Sequence, residues 1–114
     1  MLQWDEARKI IETVRIGAGE SPAALRLLRS WHLAAVSYAQ VRADWQLASR
    51  PERTEKDANR TRLHDAFIDS CNALSRRLRA DGKDVGWRQI LGDDRKRIGD
   101  LACYLHCVLG LEAR

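Results

Sequence analysis

SPAALRLLRSWHLAAVSYAQVRADWQLAS, residues 21–49, is the stretch that decides the fold. It opens with a serine whose side chain can cap a helix, followed by a proline at the first helical position. Ala24, Leu28, Trp31, Ala35, Tyr38, Val41, Trp45 and Ala48 then recur every three or four residues, the spacing of one helical face. Leu25, Leu33, Val36 and Leu47 widen that face, which predicts a central helix with neighbours on several sides. Pro51 disfavours helix for the residue before it, so the segment ends near Ser49. At ~1.5 Å per residue it is about 40 Å long.

The same period runs outward from it. Trp4, Ala7, Ile11 and Val14 predict a helix over about 2–16, closed by Gly17-Ala18-Gly19. Leu63, Phe67, Cys71, Leu74 and Leu78 make the seam of a third helix over about 57–80, with 52–59 read as a polar connection or a frayed first turn and Asp81-Gly82 as its stop. Ile98, Leu101, Ala102, Leu105, Val108 and Leu109 give a fourth over about 93–112, its start marked by Gly92-Asp93-Asp94. A short helical element is expected near 85–91, around Trp87. Strand alternation is absent and helix formers dominate. The expected fold is all-α: one domain, 1–114, built as an antiparallel bundle of four main helices plus the Trp87 element.

Composition narrows the class. With 45% hydrophobic and 32% charged residues, the chain is too apolar for disorder and too polar for a membrane protein. No run reaches the ~18 apolar residues of a spanning helix, and MLQWDEARKI lacks the basic start and apolar middle of a signal peptide. An odd count of three cysteines fits reduced thiols in the cytoplasm. No membrane partner is expected.

Charge is distributed unevenly. Between residues 76 and 97 stand Arg76, Arg77, Arg79, Lys83, Arg88, Arg95, Lys96 and Arg97, against Asp81, Asp84, Asp93 and Asp94. That surplus of four equals the net charge of the whole chain, +4. Arginine outnumbers lysine sixteen to four, and the guanidinium fork suits phosphate as well as carboxylate. These eight bases are the phosphate or nucleic-acid candidates. The alternative for them is a solvated rim balanced by neighbouring acids.

Catalytic and metal motifs are scarce. Cys103, His106 and Cys107 lie at i, i+3 and i+4 and are the one weak metal candidate, lacking the second separated pair of a structural zinc site. His64-Asp65 falls mid-helix, where adjacent side chains point about 100° apart, so the dipeptide is no site by itself. There is no glycine-flanked nucleophile and no phosphate-binding glycine loop. No cofactor is implied, and the chain reads as a non-enzyme. Of the four tryptophans, Trp31 and Trp45 lie two heptads apart and belong in the core. Trp4 and Trp87 stand near element ends and are the candidates for partner contact.

RTRLHDAFIDSCNALSR (60–76) and GDDRKRIGDLACYLHC (92–107) resemble small helical proteins of bacteria and their mobile elements, which have no established activity. The resemblance implies a bacterial helical domain and transfers no functional residue. Arg62, Asp65, Asp69, Arg95 and Asp100, at helical spacing, suggest an ion-pair lattice between the last two long helices. The leading functional reading is an interaction or regulatory module that binds a protein partner or itself, such as an accessory or inhibitory protein of a mobile element. The alternative is a nucleic-acid-associated protein using residues 76–97.

Overall fold

The computed structural model describes residues 1–83 and 86–114, and for Arg88 and Gln89 the backbone alone. The described chain is helical throughout, in the order α1 Trp4–Ala18, α2 Pro22–Leu47, α3 Arg50–Ala80, α4 Trp87–Leu91 and α5 Arg95–Glu112. Helix α2 packs mainly on α3 and α5, and α1 lies against α5 and α2. The short element near 85–91 is present as α4, while Val85 falls outside the described residues.

Ser21 caps α2 as its sequence suggests, its Oγ accepting from the Ala24 amide at 3.3 Å. Helix α3 starts seven residues before the expected 57. Ser49 accepts from the Glu52 amide at 3.5 Å and donates to the Glu52 carboxylate at 2.8 Å, with Pro51 in the first turn. Ser-x-x-Glu is a capping pattern, and it nucleates a helix whose first turns carry no apolar seam. The proline that ends α2 therefore also begins α3, and the link between them is only Ala48 and Ser49. At the far end, the Lys83 amide donates to Leu78 O at 2.8 Å and the Gly82 amide to Arg79 O at 2.9 Å. This closing turn needs a left-handed residue, and Gly82 supplies it with φ 78°. So positioned, Lys83 Nζ reaches Gly17 O at 2.8 Å, tying α3 to the end of α1.

The core lies where α2 meets the other helices. Trp31, Phe67, Leu74, Leu101, Ile10 and Val14 are fully buried. The Trp31 ring stacks on Phe67 of α3 with centroids 6.4 Å apart and meets Trp87 of α4 edge-on at 5.5 Å. Its indole N–H donates to Cys71 Sγ at 3.3 Å, and burial pushes the Cys71 thiol up to about 12, leaving it an inert packing group. Helix α5 comes close to α2 at Gly99, where an added Cβ would stand 3.0 Å from the Tyr38 hydroxyl.

Two expectations about α2 are corrected. Leu33 is 65% exposed and Leu47 88%, with Leu25 also at the surface, so α2 buries one face and presents the other to solvent. Trp45 leaves the core. It is only half-buried, with the guanidinium carbons of Arg53 and Arg60 4.6 and 4.4 Å from its ring centroid. These arginines lie two turns apart on α3 and both stand over the ring, setting cations against it where apolar partners were expected.

The N-terminal segment is held by a buried acid. Asp100 of α5 accepts from the Leu2 amide at 3.1 Å and pairs with Arg42 of α2 at 2.9 Å. Tyr104 donates to Leu2 O at 3.0 Å. The expected ion-pair lattice thus reduces to one bridge, Arg95 to Asp65 at 2.7 Å, because Asp100 faces α2 and Arg62 bonds to Asn59 on its own helix.

Truncating Trp31 to Ala is expected to cost about 3–5 kcal/mol. Leu47→Ala, on the exposed face, is expected to stay within about 0.5 kcal/mol of the parent. Denaturant melts of both variants check the assignment of buried and solvent faces.

Candidate functional site

The eight bases of residues 76–97 do not form one surface. Three are held by acids on the protein itself: Arg77 by Asp81 at 2.6 Å, Arg95 by Asp65 at 2.7 Å and Arg97 by Glu6 at 2.9 Å. Lys83 is committed to Gly17 O. The Arg88 side chain lies outside the described residues. Arg76, Arg79 and Lys96 remain, exposed and with side chains that make no ion pair or hydrogen bond among the described residues. The expected phosphate track is therefore broken into separate places.

Arg76 and Arg79 sit one turn apart on α3 at the mouth of a cleft of about 520 Å³ between α3 and the α4–α5 corner. Its α3 wall is Ile68, Cys71, Asn72 and Ser75. The opposite wall is Trp87, Leu91, Gly92, Asp93 and Ile98. Polar and apolar surface thus share the lining about equally, with an apolar patch of Ile68, Trp87, Leu91 and Ile98. Two unpaired guanidinia stand against a single carboxylate among the described lining residues, and the volume is that of an ordinary ligand or side-chain pocket. Trp87, expected at the surface as a partner contact, is 7% exposed and forms part of the cleft. Edge-on packing against Trp31 draws it inward. Its indole N–H is buried without a hydrogen-bond partner. Trp4, the other partner-contact candidate, is 41% exposed and leans on Tyr104 with ring centroids 5.5 Å apart.

A second cleft, of about 430 Å³, lies where α2, α3 and the start of α5 meet. It collects Arg42, Arg60, Arg95 and Lys96 with Tyr38, Trp45 and His64. Only Arg95 and Lys96 of this group were singled out by the sequence as anion candidates.

His64 is buried, and its Nε2 lies 2.8 Å from Arg95 O. A carbonyl only accepts, so Nε2 carries the proton and Nδ1 presents its lone pair. Burial lowers the His64 pKa, and the charge of Arg95 lowers it further, against the raising effect of its hydrogen bond to the Arg95 backbone. His32 is lowered in the same way by burial and then by Arg15.

Cys103, His106 and Cys107 do not assemble a metal site. Cys103 turns to α2, where Arg42 Nη1 approaches its sulfur at 3.5 Å, while Cys107 is exposed and His106 is half-buried elsewhere on α5. Among the described residues no three His, Cys, Asp or Glu side chains converge in a metal-holding group. Burial raises the Cys103 pKa, with Arg42 opposing it, so a thiol and not a thiolate faces the guanidinium. No helix among the described residues is long and apolar enough to cross a membrane.

Comparison with protein-family models, curated proteins and solved structures finds no match to this chain.

Both lowered histidines bind protons more readily when unfolded, so stability rises with pH across their titration. It is expected to be level above the ordinary value of 6.5 and to fall as pH drops below it. Thermal melts from pH 8 to about 5 check this. A transition temperature that climbs on acidification through that window would contradict the buried neutral state.

Proposed function

We propose that the protein is a non-enzymatic interaction module whose α3/α4–α5 cleft docks an acidic, apolar segment of a partner protein. The observation that carries this reading is the pair of unpaired guanidinia, Arg76 and Arg79, on a cleft that also holds an apolar patch of Trp87, Leu91 and Ile98. Arginine and tryptophan are the residue types most often found to anchor interfaces, and the apolar patch gives a partner's leucine or phenylalanine somewhere to be buried. Charge complementarity then selects carboxylates beside that anchor. A nucleic-acid interface is favoured less, because Arg77, Arg95 and Arg97 are already neutralised by Asp81, Asp65 and Glu6. A phosphate backbone asks for a continuous row of available cations.

The scaffold in this reading is an antiparallel bundle of the four long helices, supported by the two-residue link between α2 and α3. A cytoplasmic setting fits its three free thiols.

Calorimetric titration with an amphipathic Glu/Leu peptide, a Lys/Leu counterpart and a DNA duplex separates the readings. The acidic peptide is expected to bind in preference to the basic one, and Arg76→Ala with Arg79→Ala to weaken it about tenfold. Equal binding of both peptides would overturn the proposal. So would tight duplex binding that falls steeply with salt, which would restore the nucleic-acid reading.

A further inference from the structure

The second cleft, walled by α2, α3 and the first turn of α5, has a chemistry of its own. Four cations line it. Three already face acids: Arg42 meets Asp100 at 2.9 Å, Arg60 meets Asp57 at 3.1 Å and Arg95 meets Asp65 at 2.7 Å. Lys96 is the fourth, exposed and without a partner among the described residues. Cation and acid thus balance in pairs, with one positive charge left over at the cleft.

Three buried polar atoms on its lining residues have no hydrogen-bond partner among the described residues: Trp45 Nε1, Arg60 Nε and His64 Nδ1. Such atoms are costly to bury unsatisfied, so three around one cleft mark a place a ligand could complete. Two of them are donors and one is an acceptor. The acceptor is His64 Nδ1, since Nε2 gives its hydrogen to Arg95 O. Its nearest ionic neighbour, Asp65 Oδ1, is 4.0 Å away, beyond hydrogen-bonding distance and itself an acceptor. The Tyr38 ring packs edge-on against the imidazole, with centroids 5.0 Å apart.

Size and shape limit the occupant. A cleft of about 430 Å³ suits a small molecule rather than a helix or a nucleic-acid backbone. Two guanidinia, of Arg53 and Arg60, already lie over the Trp45 ring and compete with a nucleobase for it. The ligand must be an anion, to meet the unmatched Lys96 and the two donors. It must also carry a hydrogen-bond donor of its own, to meet His64 Nδ1.

We infer that this cleft binds inorganic phosphate, an oxyanion that keeps a proton at neutral pH. Inorganic phosphate retains a P–O–H at neutral pH, whereas sulfate has none. The site thus selects between two anions of nearly equal size by the proton that His64 accepts. A fully paired anion leaves no orphan at Nδ1; sulfate leaves two acceptors facing each other.

The test is titration of the whole protein at pH 7 with inorganic phosphate, sulfate and ribose 5-phosphate, following the His64 ring by NMR. Phosphate is expected to shift the His64 resonances, and sulfate to bind at least about tenfold more weakly. Lys96→Ala, at an exposed position that leaves the fold intact, is expected to weaken phosphate about tenfold with an unchanged melting temperature. His64→Gln is expected to narrow the phosphate-to-sulfate ratio. Ribose 5-phosphate, a monoester that has mostly lost its second proton at pH 7, is expected to bind more weakly than phosphate, and tighter binding would overturn the role given to that proton. Sulfate matching phosphate, or His64 resonances unmoved at about 10 mM phosphate, overturns the inference. Arg76 and Arg79 belong to the other cleft, so failure here is distinguishable from failure of the peptide reading.

Discussion

The rest of the structure depends on the seating of one side chain, Trp31. It is wholly buried and belongs to α2, yet it touches α3 through Phe67 and α4 through Trp87. Its N–H is satisfied by a cysteine sulfur on α3, so the large ring enters the core without an orphaned donor. The consequences reach the surface. Cys71 and Trp87, the two residues it fixes, are on opposite walls of the cleft that Arg76 and Arg79 overlook. Helix α4 is only five residues long, too short to persist alone, and it acquires a fixed place through this ring contact.

Electrostatics follow from the packing rather than from the composition. A net charge of +4 concentrated in one sequence segment suggests a basic face. Folding instead distributes that segment among partners from α1 and α3: Glu6, Gly17 and Asp65. The bridges at Arg95 and Arg77 are exposed and contribute little to stability, as surface pairs generally do. Their effect is on recognition, because they leave cations available at only a few points. Each such point adjoins a cleft of different character: a mixed lining with an apolar patch beside Arg76 and Arg79, and a set of unsatisfied polar atoms beside Lys96. One basic segment can therefore serve two kinds of contact.

Much of this was legible in the residues. The apolar seams of α1, α2 and α5 and the serine-proline start of α2 are local signals, and local structure obeys them. Apolar spacing does not reach the first turns of α3, because residues 52–59 carry only a single alanine. The Ser49-x-x-Glu52 cap was the available signal. Trp45 was misjudged because its phase matches Trp31, and phase says which way a side chain points but not what it meets. What it meets is Arg53 and Arg60, fixed by the register of α3 on α2. The same register brings Arg42, Arg60 and His64 together from distant positions, a convergence that no single segment encodes. Trp87 could not be placed from sequence for a related reason: being near an element end does not reveal whether the element folds back.

The claim that Trp31 holds α4 in place, and with it the cleft, is tested most directly by native-state hydrogen exchange on Trp31→Leu. The account predicts that amides of Trp87–Leu91 lose protection selectively, while those of Leu101–Leu105 in α5 keep theirs. Equal loss across α4 and α5, or an α4 as well protected as in the parent, would contradict it.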